Sequence, residues 1–403
     1  MEWMNGRERI MTALRGEQPD RVPVTPDISI MLPVKLTGKP FWEVELENNP
    51  PLTHAYINAM KYFGIEGWMF NGTMQFKYAT EIPIEKRTIR RDAQRWDIQY
   101  VYRTPDGDLT ETVATPRSNP STKIEKLIKD FKEDFPKIRH LYSDIISCDP
   151  SEYNKQIELM AGQGMVCFGI SAPGFHLFSD QFNGHLEAVT YAYYDYPELF
   201  EELIELYTRQ ALQKLDMAID NGVESILTGG SGSITMQNPT LFREMSLPFI
   251  KKVTAICKQA GVISGIHSCG KQMSLVEACA EETDLDYVNP LEIPPMGDCN
   301  LAECKRRFGD KLALMGNLHT SSVMLFGSVE LVRLESLKAL RDAGEGGGFV
   351  LSTGDQCSFN TPEENIREMV RVGKEFGTYP MDMGRIEDEI QRLIPIVRKL
   401  NYC

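Results

Sequence analysis

The sequence predicts an α/β fold, a (β/α)8 TIM barrel with one β-hairpin inserted after the second strand, on three observations. Eight short apolar, β-branched runs alternate with longer segments of helical period. The runs are apolar almost without interruption, as in parallel strands covered on both faces, rather than at every second residue. Strict alternation is confined to one stretch, from about residue 88 to 115.

The eight runs are VPVTPDI (22–28), IEGWMF (65–70), MVCFGI (165–170), SILTGG (225–230), VISGIHS (262–268), YVNPL (287–291), LALMGN (312–317) and FVLSTG (349–354). Helix starts between them are marked. Thr361-Pro362-Glu363-Glu364 offers a capping threonine, a proline at the first helical position and a glutamate three residues after the cap; Asn238-Pro239 and Asn300 to Glu303 repeat the signal. Eight strand–helix units suit a barrel, and residues 1–403 are expected to form one domain, because barrels with insertions reach this length. In the exceptional stretch, WDIQYVYRT turns at Pro105-Asp106-Gly107 and alternates again in LTETVAT, a hairpin that leads into a charged segment near 121–140.

Composition narrows the function. A net charge of -14 without a dense Lys/Arg stretch repels both a phosphate backbone and an anionic bilayer, so nucleic acid and membrane surfaces are not expected partners. The first residues lack an apolar leader and no run of about 18 apolar residues occurs, so a cytoplasmic protein is expected. Nine cysteines without framework spacing read as reduced thiols, most of them small buried hydrophobes.

In a barrel the loops after the strand ends form the active face. The fifth run ends in His267-Ser268-Cys269-Gly270, the sixth leads through Asn289-Pro290-Leu291 to Glu292, and the eighth leads through Gly354-Asp355-Gln356 to Cys357. His267, Cys269, Glu292 and Cys357 thus bring an imidazole, two thiols and a carboxylate onto three loops of one face, the ligand types of tetrahedral zinc. Structural zinc sites draw on CxxC knuckles close in sequence, so ligands spread over the rim point to a catalytic ion.

Five segments, GIHSCGK, NPLEIPPMGD, MGNLH, GGGFVLSTGDQC and the TPEEN that follows, resemble the uroporphyrinogen decarboxylase-like superfamily. Within it they resemble the zinc-dependent, corrinoid-linked methyltransferases, and the resemblance runs from RVPVTPD to the last helices. It implies a barrel with zinc on His267, Cys269 and Cys357. The spacing is also similar to that of zinc-dependent methionine synthases, which would make Glu292 the ligand that yields to substrate. The decarboxylase branch fits less well: it carries an Arg-x-Ala-Gly-Arg segment near the N-terminus to hold substrate carboxylates, where this chain has TPDISIMLPVKL. A family Gly-Asn-Leu-Asp pattern stands here as Gly316-Asn317-Leu318-His319.

The function so implied is methyl transfer from a methoxylated aromatic substrate, a small methylated molecule, to the cobalt(I) of a partner corrinoid protein docked over the barrel mouth. The chain itself lacks the Asp-x-His-x-x-Gly element of cobalamin carriers. Methyl transfer from methylcobalamin to a thiol or folate is the main alternative, since thiolate donors weaken zinc as a Lewis acid and suit thiol alkylation. A decarboxylase-like enzyme and a non-catalytic tetrapyrrole binder are the others. Further candidates are His319 as proton donor or substrate contact, and Asn317 and Asn289 as groups orienting substrate or capping helices. Asp355 is a candidate substrate contact or hydrogen-bond acceptor behind a ligand histidine, or only the end of a strand turn, and Gly230, in the Gly229-Gly230-Ser231-Gly232 run, leaves room for substrate or corrinoid. His176 follows the third run on the active face, and Cys299 with Cys304 flanks a helix start as a second thiol pair. Barrels of this size often pair through outer helices, so a homodimer is compatible with the sequence.

Overall fold

In the computed structural model, which describes residues 3–400, the centre of the molecule is a curled, wholly parallel sheet of seven strands. They are Gly67–Gly72, Gly164–Gly169, Ser225–Gly229, Ile263–His267, Tyr287–Asn289, Ala313–Leu318 and Phe349–Thr353, and their spatial order is their chain order. Helices such as Leu247–Ala260, Met273–Glu282, Leu301–Phe308 and Val329–Ala343 return the chain from one strand to the next, and Glu363–Phe376 follows the last strand. The fold is α/β and TIM-barrel-like, and seven of the eight apolar runs are its strands.

The first run, 22–28, is not a strand. It makes single bridges, Arg21 with Thr378 and Val24 with Leu351. Thr25 N–H donates to Leu351 O, Leu351 N–H to Pro23 O, and Glu66 N–H to Val24 O, so the segment lies between the two edges of the sheet. Pro23 and Pro26 carry no N–H, and a ladder cannot run through them.

The inside of the sheet is filled by Trp68, Met165, Cys167, Ile263, Tyr287, Ala313, Met315 and Val350, packed against Ile10, Met11, Ala13 and Leu14 of the helix Gly6–Leu14. That helix stoppers the N-terminal ends of the strands: Arg7 N–H donates to Gly162 O, and Gly348 N–H to Glu17 O, both just before a strand begins. Asn5 caps it, exchanging hydrogen bonds with Glu8. Buried Arg9 of this helix pairs with Asp20 and Glu66, and buried Arg21 pairs with the same Glu66.

The inserted hairpin is present, with Thr104 paired to Gly107 around Pro105-Asp106, but it is half of a larger unit. Four antiparallel strands, Ile84–Arg91, Arg95–Thr104, Gly107–Pro116 and Thr122–Glu125, form one sheet, and Gln75–Tyr78 pairs separately with Ile145–Asp149. Ile84–Arg91 is exposed at every residue, and the alternating stretch from about 88 reaches only its second half, so the sequence does not mark it as a strand. Trp96 of this sheet stacks on Trp42 at 5.8 Å and 7°, and Arg91 lies over the Trp96 ring at 4.0 Å.

Asn238 and Asn300 cap their helices as expected, accepting from Leu241 N–H and Glu303 N–H at 2.9 Å. Thr361 does not: its helix begins at Glu363 after Pro362, and the buried Thr361 hydroxyl has no hydrogen-bond partner among the described residues. Among those residues no helix is long and apolar enough to cross a membrane.

Candidate functional site

The C-terminal strand ends open into a chamber of about 310 Å³ whose lining includes Asp27, Ser29, Trp68, Thr228, Gly230, His267 and Asp355. His267 ends its strand in register with Asn289 of the next, so the two side chains stand on the same side of adjacent strands. Its Nδ1 lies 2.6 Å from Asn289 Oδ1, and Asn289 Nδ2 reaches Met315 O at 3.4 Å, which fixes the amide with its oxygen toward the ring. Nδ1 therefore carries the proton and donates, and Nε2 keeps a free lone pair. That lone pair is 3.1 Å from Cys269 Sγ.

Cys269 Sγ lies in turn 3.0 Å from Asp355 Oδ2 and 3.4 Å from Ser231 Oγ. Among the described residues, His267, Cys269 and Asp355 form the one group of three metal-ligating side chains, their donor atoms all within 4.8 Å of one another. Burial pushes the Cys269 thiol well above the usual thiol range, and the Asp355 carboxylate adds to the effect. Burial also raises Asp27, to about 6, with Asp355 opposing its ionisation too; Ser29 hydroxyl donates to it. Thiols and carboxylates crowded together out of water disfavour one another's charge, and a divalent cation relieves that repulsion. An imidazole lone pair, a thiol and a carboxylate fit zinc.

The other expected ligands lie nearby but outside this group. Glu292 is 7% exposed, accepts from Gly270 N–H, and is pushed up by burial, with Asp355 adding to the shift. Cys357 is fully buried; its N–H donates to Asp27 O at 2.8 Å, and burial, then Asp27, raise its thiol. Asn289, expected to face substrate or cap a helix, stands behind His267.

Asn317 and His319 line a different cavity, of about 260 Å³, together with Cys299 and Lys338. Asn317 Nδ2 donates to Leu291 O at 3.0 Å. His319 Nδ1 accepts from Ser321 and Ser322 N–H, capping the turn that follows, and leaves Nε2 buried and unpartnered. His176 is 9% exposed, with neither ring nitrogen hydrogen-bonded to a side chain, and burial lowers its pKa to about 4. It stands against the mouth, because a Cβ on Gly230 would meet its Cδ2 at 2.9 Å; Gly230 N–H also donates to His267 O. Cys299 and Cys304 are buried, and the Cys304 thiol donates to Met273 Sδ at 3.7 Å.

Two residues of the site, Asp27 and Ser231, were missed by the sequence reading. Asp27 ends the first apolar run, so the strand-end rule applied to the other runs would have found it. Ser231 sits in the glycine run and carries no distinctive spacing.

A family model described as uroporphyrinogen decarboxylase (URO-D) matches residues 162–376. A uroporphyrinogen decarboxylase from Neisseria meningitidis is 26% identical over 184 residues, 44% of this chain and 48% of that protein. A methylcobamide:CoM methyltransferase, MtaA, from Methanosarcina barkeri is 27% identical over 180 residues, 44% of this chain and 50% of that protein. These matches span about half the length of the curated relatives. A solved methyltransferase from Methanosarcina mazei shares the fold with a TM-score of 0.63 at 16% identity, over 93% of this chain and 99% of that one.

Proposed function

We propose, from the premise that this chain belongs to the uroporphyrinogen decarboxylase family, that it is a zinc-dependent methyltransferase moving a methyl group from a methoxylated aromatic substrate to the cobalt(I) of a separate corrinoid protein. The observation that carries the reading is the convergence of His267, Cys269 and Asp355 donor atoms within 4.8 Å at the open end of the sheet. Similarity to a methylcobamide:CoM methyltransferase supports it. In this reading the whole chain is a single domain, and Val24, bonded toward both sheet edges, completes a closed barrel of eight.

His267 and Cys269 would hold the zinc, with the remaining donors drawn from Asp355, Glu292 and Cys357. Zinc bound there supplies Lewis acidity toward the ether oxygen and stabilises the leaving phenolate. Asn289 keeps the His267 Nε2 lone pair available by holding the proton on Nδ1. Glu292, whose carboxylate accepts from Gly270 N–H, would be the donor held least firmly and so the one available to make room for substrate. The bare backbone at Gly230 leaves the head of the substrate room beside His176.

Transfer from methylcobalamin to a thiol is the second reading, favoured by the same similarity, because thiolate donors suit thiol activation. Elemental analysis joined to a screen of methyl donors separates the two. Near one zinc per chain with methylation of a reduced corrinoid protein by methoxybenzenes is expected. Zinc with transfer only from methylcobalamin to thiols selects the second reading, and a chain purified without zinc refutes both. Cys269→Ala should take bound zinc well below one per chain and lower turnover by more than about a hundredfold, with a nearly unchanged thermal midpoint, since a rim ligand contributes little core burial.

A further inference from the structure

Beside the mouth chamber lies a second one of about 190 Å³, and the two share Ser29, Phe70 and Gln356 in their walls. The rest of its lining is Ile30, Leu52, Tyr56, Met69 and Asn71. The Tyr56 hydroxyl is occupied by Trp68 N–H at 2.9 Å, so the wall presents its ring, and the Phe70 ring stands 5.6 Å from that of Trp68. An apolar cavity of about 150 Å³ holds one benzene, so this chamber takes a single ring with a small substituent.

Charge sets a second condition. Among the described residues no lysine or arginine lines either chamber, and the ionisable groups there besides His267 are the carboxyls of Asp27 and Asp355 and the phenol of Tyr56. An anion entering would leave water for walls without a lysine or arginine, beside carboxylates, and the zinc proposed at the mouth is already neutralised by its own thiolate and carboxylate donors. We propose that the side chamber is a subsite for an uncharged aromatic ring, so that the enzyme takes neutral methoxylated monoaromatics and excludes those bearing a carboxylate. The link to methyl transfer rests on the function proposed above; the subsite and its charge selection do not.

Calorimetry of the zinc-loaded protein with methoxybenzene and 3-methoxybenzoate, a pair differing by one carboxylate, tests this directly. Methoxybenzene should bind at least tenfold more tightly. Leu52→Trp, which fills the chamber, should weaken methoxybenzene at least tenfold with zinc content unchanged. Asn71→Arg, on an exposed position of the wall, should raise 3-methoxybenzoate affinity at least tenfold and keeps the proposal testable should the tryptophan variant misfold. Equal or tighter binding of the carboxylate, or a ring affinity indifferent to both substitutions, overturns the subsite. Selective ring binding without methyl transfer supports the subsite and overturns the methyltransferase reading alone.

Discussion

Asn289 governs which nitrogen of His267 is free, and a metal site depends on that choice as much as on its ligands. Its Oδ1 is 2.6 Å from Nδ1, and the residue is 1% exposed, so water does not substitute for it. Asn289→Ala should weaken zinc about 10–100-fold in a chelator competition, while Asn289→Asp, which keeps an acceptor, should retain most of the affinity. A purely structural role would lower the thermal midpoint of both variants and spare metal affinity. The identity of the rim residues was legible in the sequence, because strand ends in α/β folds face one way. Their pairing was not: the register that sets Asn289 beside His267 depends on two strands separated by a helix, and nothing local encodes it. The same holds for Asp355, expected behind a ligand histidine or against substrate and found against the Cys269 thiol.

Among the elements, the strand Ile263–His267 shows how a single missing side chain admits a large neighbour. Gly265 is in register with Tyr287, and a Cβ on it would lie 2.0 Å from Tyr287 Cζ. The Tyr287 ring crosses that space so that its hydroxyl meets Trp68 Nε1–H at 3.1 Å. Gly265→Ala should therefore destabilise the fold by about 1–3 kcal/mol, the range of overpacked cores, read as a lower urea midpoint with an unchanged slope. Continuous apolar runs revealed the buried strands, and alternation revealed the middle of the inserted sheet. Ile84–Arg91 escaped because both of its faces are wet, and 22–28 looked like a strand because apolar content alone does not register the donors that its prolines lack. Thr361 matched a capping sequence, yet the helix starts beyond it.

For the molecule as a whole, the stoppered end carries a share of the stability that depends on pH. Burial alone would raise the Asp20 carboxyl, but the Arg9 guanidinium and the N–H groups of Met4 and Trp3 hold it down to about 2. Its folded pKa lies below the unfolded value of about 4, so its contribution is fully present above that pH and is lost as pH falls through 2. That contribution is about 2 kcal/mol. Urea titrations of wild type and Asp20→Asn should differ most at pH 5 to 7 and converge toward pH 2; a constant gap would show that Asp20 acts through packing alone. The α/β, TIM-barrel-like architecture could be read from the rhythm of the sequence, since repeated units of strand and helix length leave few topologies, although seven rather than eight of the runs are strands. The chambers could not, because their walls are assembled from segments far apart in the chain. The helix Gly6–Leu14 has one more effect. By sealing the far end of the sheet it closes the interior on that side and leaves the strand ends as the open face. A protein partner of the kind proposed, settling over that face, would cover whatever is bound there, so loading would precede docking and undocking would precede release.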